Sequence, residues 1–163
     1  MDRMTRQARD ALQAARHGAA RIGNTEVDGE HLLLALLEPV DSRVSRLVAE
    51  LGVDPAPLRV QIEEELSLRP RVSAADFDPD ALLLTRRLRR LLEAATREAD
   101  ELGDECVGED HLLAALAQEG PATPGGLRLR EHGITRDVCR ATLARERRPA
   151  PSAVERSATT DGW

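Results

Sequence analysis

Gly29-Glu30-His31-Leu32-Leu33-Leu34-Ala35-Leu36-Leu37 is written twice in this chain. The phrase returns as Glu109-Asp110-His111-Leu112-Leu113-Ala114-Ala115-Leu116-Ala117. Each copy is an acidic start followed by an apolar run, too short to span a membrane and too rich in Leu and Ala for a strand. It predicts a short helix buried on most faces, with only its first turn near water. Two such helices predict two structural repeats around one core.

The repetition extends well beyond these helices. Residues 5–38 laid over 85–118 without gaps pair Thr5 with Thr85, Arg6 with Arg86, Arg9 with Arg89 and Leu12 with Leu92. The register continues through Ala15/Ala95, Ala19/Ala99, Gly23/Gly103, Val27/Val107 and His31/His111, and one inserted residue then brings Gly52-Val53 over Gly133-Ile134. Agreement falls on apolar positions and on glycines that stop helices, which is where a structural repeat holds it.

Helical spacing places a first helix over Thr5 to Ile22, stopped by Gly23, and a third through Val44, Leu47, Val48 and Leu51. Asp54-Pro55 supplies an N-cap and a first-turn proline for a fourth helix through Leu58, Ile62 and Leu66. Asp78-Pro79 has the same form and predicts one long fifth helix ending at Gly103. Residues 120–126 read as a loose loop, a short helix ends near Gly133, and Thr135 caps a last helix through Val138, Ala141 and Leu143. The expected fold is all-α, two pseudo-symmetric four-helix repeats, about eight helices in all. Repeat one covers 1–66, a connector 67–78 and repeat two 79–147, with a disordered tail over 148–163.

Composition narrows the function. Among 163 residues, 41% are hydrophobic, yet there is one Phe, one Trp and no Tyr, so Leu, Val, Ile and Ala must build the core. The formal net charge is −6, which argues against a nucleic-acid binder. All 23 basic residues are Arg. Without Lys there is neither a Walker-type phosphate loop nor a Schiff base. Cys106 and Cys139 form no CxxC pair and read as reduced thiols, although a disulfide between them stays open. With no signal peptide and no long apolar run, the chain reads as soluble and cytoplasmic, without partnership to membranes.

The tandem of helical repeats, each with a Gly stop and then Val-x-x-Glu/Asp-His-Leu-Leu-x-Ala-Leu, with Leu51-Gly52-Val53 closing the third helix, resembles one family. It is similar to the N-terminal domain of the Clp unfoldases ClpA, ClpB and ClpC, over about residues 1–147. The resemblance implies a non-catalytic module that collects protein substrates, degrons or adaptors for an ATP-driven Clp unfoldase or protease complex. The chain has no room for the ATPase modules. Its tail from Arg147 does not resemble the linker that leads into them, which favours a free-standing protein. The alternative function is accordingly a regulator or decoy that competes with a full-length unfoldase for clients or ligands.

In the ClpC branch the Glu at the start of each key helix grips the guanidinium of phosphoarginine, a degradation tag. The resemblance carries that role to Glu30 and Asp110, with Gly29 and Glu109 beside them as candidate contacts. A carboxylate accepts a guanidinium bidentately, and a helix N terminus offers N–H groups to a phosphoryl. Acids also favour helix N termini through the helix dipole alone. This chain departs from the family where Thr normally precedes the acid, since Gly29 and Glu109 stand there, and Glu109 puts a negative charge where a phosphoryl would approach. The expectation is therefore better at Glu30 than at Asp110. An aromatic groove found in some relatives reads Asp2 and Leu84 here. In the basic cluster Arg86-Arg87-x-Arg89-Arg90, Arg86, Arg89 and Arg90, with Arg97, read as the solvated face of the fifth helix, the alternative being a surface that pairs with acidic residues of a partner.

No cofactor, metal site or catalytic constellation is expected. Glu30-His31 and Asp110-His111 are neighbours about 100° apart on a helix and make no HExxH. Each His reads as a core residue satisfying a loop carbonyl. An enzyme lacks a nucleophile–base pair here, because neither Cys has a local His partner and no Ser sits in a nucleophile elbow.

Overall fold

The structure, a computed structural model, describes residues 3–39, 41–73 and 78–146. They form eight α-helices, α1 (Arg6–Ile22), α2 (Gly29–Leu37), α3 (Arg43–Glu50), α4 (Pro55–Ser67), α5 (Arg86–Glu101), α6 (Glu109–Gln118), α7 (Pro124–Glu131) and α8 (Arg136–Glu146). Two short strands, β1 (Glu26–Val27) and β2 (Leu83–Leu84), precede α2 and α5. The expected all-α double repeat is the observed fold. The chain end from residue 147, with the tail expected to be disordered, lies outside the described residues, as do 74–77 of the connector.

Matching caps set matching helices. Thr5 Oγ1 accepts the Ala8 N–H at 3.1 Å, and Thr85 Oγ1 accepts the Leu88 N–H at 3.0 Å. Each hydroxyl satisfies one of the N–H groups that a helix start leaves without an intrahelical acceptor. At the other ends, Gly23 and Gly103 take left-handed backbone, with φ of 89° and 75°.

The apolar helices α2 and α6 pack against each other in the core. Leu32, Leu33, Leu36 and Leu37 of one and Leu112, Leu113 and Leu116 of the other are fully buried. Burying each such side chain contributes about 1.5–3 kcal/mol. Around this pair, α4 brings Leu58, Ile62 and Leu66, and α8 brings Cys139 and Leu143. The repeats also clasp each other, because α3 packs on α6 and α7 on α2.

Backbone pairing is exchanged in the same reciprocal way. Val27 pairs with Leu84, and its counterpart Val107 pairs with Met4, both in parallel. Thr85 N–H donates to Val27 O at 2.9 Å, and Thr5 N–H to Val107 O at 2.9 Å. The segment before each repeat's first helix is thus held by the other repeat.

That exchange corrects the single long helix expected from Asp78-Pro79. Pro79–Ala81 makes one 3-10 turn, Leu82 is extended (φ −65°, ψ 133°) with a buried side chain, and α5 starts afresh at its Thr85 cap. Arg16 holds the break by donating to Leu82 O at 2.7 Å. A continuous helix would have left β1 unpaired. The loop expected over 120–126 is also more ordered than read, with a 3-10 turn at Gly120–Ala122 and a Thr123 cap on Gly126 N–H.

Candidate functional site

The repeat symmetry places Glu30 and Asp110 at equivalent helix starts, but their surroundings differ. Glu30 was expected near water and is 0% exposed. The guanidinium of Arg87, from the other repeat, meets its carboxylate with two bonds, Nη1 to Oε1 at 2.7 Å and Nη2 to Oε2 at 2.6 Å. Arg69, from the segment after α4, donates to Oε1 as well, and the Gly125 N–H at the start of α7 reaches Oε2 at 3.1 Å. Asp28, the N-cap of α2, accepts from Arg69 and Arg87, both at 3.1 Å, and from the Thr85 hydroxyl at 2.8 Å. Glu119 takes the remaining side of Arg87 at 2.9 and 2.8 Å.

The charges follow this geometry. Burial alone would raise the Glu30 carboxyl, but the hydrogen bonds and charge of Arg87, with the charge of Arg69, hold it below its ordinary value. Asp28 is lowered too, since Arg87, the Gly29 N–H, Thr85 and Arg69 outweigh its burial. Arg87 is desolvated, yet its bonds to Glu30 and Glu119 push it further toward the charged form. Gly29 touches this joint directly, because a Cβ there would stand 2.9 Å from Arg87 Nη2. The acid expected to grip a ligand's guanidinium already grips one belonging to its own chain.

At α6 the equivalent place is open. Gln7 stands where the repeat register puts Arg87, and Gly108 stands where it puts Asp28. A cavity of about 680 Å³ lies between α1, α3 and the start of α6, lined by Gln7, Asp10, Ala11, Arg43, Arg46, Glu109 and Asp110 among others. The Asp110 side chain is 13% exposed, with Oδ2 3.9 Å from Arg43 Nη2 and Oδ1 accepting the His111 N–H at 3.2 Å. Arg43 is also paired with Glu146 at the end of α8. Burial, and then the neighbouring Asp110, raise the Glu109 carboxyl above its usual range against the pull of Arg43 and Arg46. Carboxylates and guanidinium groups thus line one hollow, a surface that suits a ligand carrying both charges.

The histidines serve the helix starts. His31 Nδ1 accepts the Asp28 N–H at 2.9 Å, so Nε2 carries the proton toward Asn24 Oδ1 at 2.8 Å. His111 Nδ1 accepts the Gly108 N–H at 2.8 Å, and Nε2 lies 2.7 Å from Asp104 Oδ2. Their partners are side-chain oxygens of the preceding loops rather than the backbone carbonyls expected. Among the described residues no three His, Cys, Asp or Glu side chains group to hold a metal ion, and no helix is long and apolar enough to cross a membrane. Both cysteines are free, Cys106 exposed and Cys139 buried, where desolvation pushes its thiol up to about 12. Leu84 lines a small hollow of about 260 Å³ with Met4, Leu92 and Val107, while Asp2 lies outside the described residues.

Sequence reading missed the residues that close the Glu30 site. Arg87 sits one residue before buried Leu88 and four before buried Leu91, so its place at the edge of the buried face was the available signal. Arg69 follows the last periodic position of α4 and had no such signal. A second buried acid, Glu98 of α5, was also missed. It is 2% exposed and ties α8 to α5 through Arg136 and Arg140.

With this geometry in place, the relatives are informative. The family model for the Clp repeat (R) N-terminal domain matches residues 3–125. The chaperone protein ClpB of Nitratidesulfovibrio vulgaris is 33% identical over 135 residues, which cover 83% of this chain and 16% of that protein. The chain therefore spans about a sixth of the length of this curated relative. The Hsp104 N-terminal domain from Candida albicans superposes with a TM-score of 0.72 at 18% identity, covering 88% of this chain and 91% of that one. The N-terminal domain of the ClpV1 ATPase from E. coli gives 0.68 at 24% identity, covering 86% and 83%. Reciprocal clasping of two four-helix repeats, the matched caps and this matched span agree, and the chain belongs to the Clp repeat N-terminal domain family.

Proposed function

We propose that the chain is a non-catalytic recognition module of a cytoplasmic Clp system, collecting protein clients, degradation tags or adaptors for an ATP-driven ring. The observation that carries this reading is the cavity of about 680 Å³ at the start of α6. Its acids, Glu109 and Asp110, suit a guanidinium, and Arg43 and Arg46 suit a phosphoryl attached to it. A phosphoarginine tag carries both groups on one side chain. The reading assigns that ligand to Asp110 with Glu109 and leaves Glu30 and Gly29 to the closed joint with Arg87.

Calorimetric titration with free phosphoarginine, a phosphoarginine peptide and its unmodified twin tests the assignment. Heat is expected with the two tagged ligands and is lost in Asp110→Ala and weakened in Arg46→Ala. Because a bound guanidinium would lower the raised Glu109 carboxyl, binding near its midpoint releases protons, and the heat depends on the buffer's ionisation enthalpy. Equal heat with the unmodified twin, or no heat with any ligand, overturns the tag assignment.

A further inference from the structure

The counterpart of the Asp110 cavity has not vanished from the first site; it has changed sign. A hollow of about 360 Å³ between α5 and α6 is lined by Arg86, Arg87, Arg90 and Arg97 over a floor that includes Leu91 and Ala115. The repeat register relates Arg90 to Asp10, Arg87 to Gln7, Leu91 to Ala11 and Ala115 to Ala35, all of which line the Asp110 cavity. One acid of the first hollow, Asp10, is thus replaced by Arg90 in the second, and its neutral Gln7 by Arg87. The acid on its wall, Glu119, is taken by Arg87 through two hydrogen bonds.

Arg86, Arg90 and Arg97 are exposed, and none of them makes an ion pair or a side-chain hydrogen bond among the described residues. Spaced four and seven residues apart, they project from one side of α5 over roughly 16 Å. Arg86 and Arg90, four residues apart, repel each other, and along this side of α5 Glu93 is the acid within a turn of Arg90 and Arg97. The arginine row also stands on a chain whose formal net charge is −6. A comb of cations spread over three turns matches a polymer of carboxylates better than a single ion. The floor of small apolar side chains offers no aromatic ring on which a nucleic-acid base could stack.

We propose that this α5–α6 groove docks an acidic protein segment, with carboxylates about one turn apart meeting Arg86 and Arg90, a further one about two turns on meeting Arg97, and a small apolar residue seated on Leu91 and Ala115. The proposal rests on reading the domain as a recognition module, but it uses a different surface from the Asp110 cavity.

Fluorescence anisotropy with a labelled peptide bearing paired glutamates one turn apart and a further one about two turns on, and with its Gln-for-Glu twin, tests it. The acidic peptide is expected to bind, to weaken steeply with added salt, and to lose about tenfold or more in affinity in the Arg90→Glu/Arg97→Glu variant. Arg21→Glu, an exposed arginine on α1, is expected to leave binding unchanged. A peptide with Lys for Glu is expected to bind the doubly reversed variant. Circular dichroism and thermal melting confirm that both variants fold, as exposed and unpaired arginines allow. Equal affinity for the Gln twin, equal loss in Arg21→Glu, or no binding overturns the groove. Tighter competition by a single-stranded oligonucleotide overturns the choice of a protein partner. Self-association that the double reversal abolishes makes the occupant a second copy and overturns it too. Phosphoarginine heat at Asp110 reports the other reading separately, so either can fail while the other stands.

Discussion

At the start of α2 an arginine from the opposite repeat closes on a fully buried glutamate. At the start of α6 a glutamine holds that arginine's place, and a cavity remains. The Thr caps, the glycine stops and most of the core leucines recur in register, and the contrast between the two helix starts is set by the residues at 7/87, 28/108, 29/109 and 30/110. Packing of α2 against α6 tolerates little change, because each leucine fills space that another element has shaped. The polar rim answers to a looser condition, which is only that each buried charge find a partner. One copy has met it internally and become a joint between repeats. The other has kept a hollow of about 680 Å³ beside Asp110, large enough to admit a ligand.

Exchanging the residues at 7 and 87 breaks the contrast most directly. Arg87→Ala leaves Glu30 buried with Arg69 and one N–H as partners, and leaves Asp28 and Glu119 without their shared cation. Removing one side of a buried pair costs about 3–5 kcal/mol, and urea denaturation is expected to show a loss of that order. The reverse change, Gln7→Arg, puts a guanidinium into the Asp110 cavity. It is expected to abolish phosphoarginine heat while keeping or raising the melting temperature. If Arg87→Ala is as stable as the parent chain, the joint holds nothing together. If Gln7→Arg still binds the tag, the cavity is not the site.

How far the sequence reaches follows the same division. Eight helices, their glycine stops and the doubled register were legible because apolar periodicity and capping residues act locally. The Leu82–Leu84 break was not, because Asp78-Pro79 and the run of leucines satisfy helical rules, and only β1 from the other repeat makes the extended form better. Glu30 was legible as an acid at a helix start, but its burial depended on Arg87 and Arg69, which arrive from 57 and 39 residues away. Nothing at positions 28–31 alone distinguishes a guanidinium received from a ligand from one supplied by the chain. Asp110, one methylene shorter and beside Glu109, looked the poorer site, yet its missing arginine leaves it the more open one.

The histidines sharpen the comparison through pH. Burial, aided by the charge of Arg69, lowers His31 to about 4 against the pull of Asp28 and Glu30. The unfolded imidazole takes a proton as the pH falls through about 6.5, whereas the folded one stays neutral until about 4. Protons therefore favour the unfolded chain across that window, and stability falls as the pH drops, by about 3 kcal/mol in full from this residue. Gln at this helix position can still accept the Asp28 N–H. His31→Gln is accordingly expected to flatten the loss between pH 6.5 and 4 in denaturation measured across that range. An unchanged slope places the acid sensitivity elsewhere.

The smallest expected difference separates two glycines that the register equates. Both Gly23 and Gly103 have positive φ, so an alanine at either strains the backbone by about 1 kcal/mol. Around Gly103 a new Cβ meets nothing within 4 Å, and the strain is the whole effect. At Gly23 the same atom would lie 2.5 Å from Val72 O, where the segment after α4 returns to donate its Val72 N–H to Gly23 O at 2.9 Å. That segment must shift, and it carries Arg69, which reaches Glu30 and Asp28. Gly23→Ala is therefore expected to cost about 2 kcal/mol, roughly double the cost of Gly103→Ala, and to loosen the closed site as well. Equal melting temperatures for the two variants would mean that the returning segment moves freely, and that Arg87 alone keeps the first site shut.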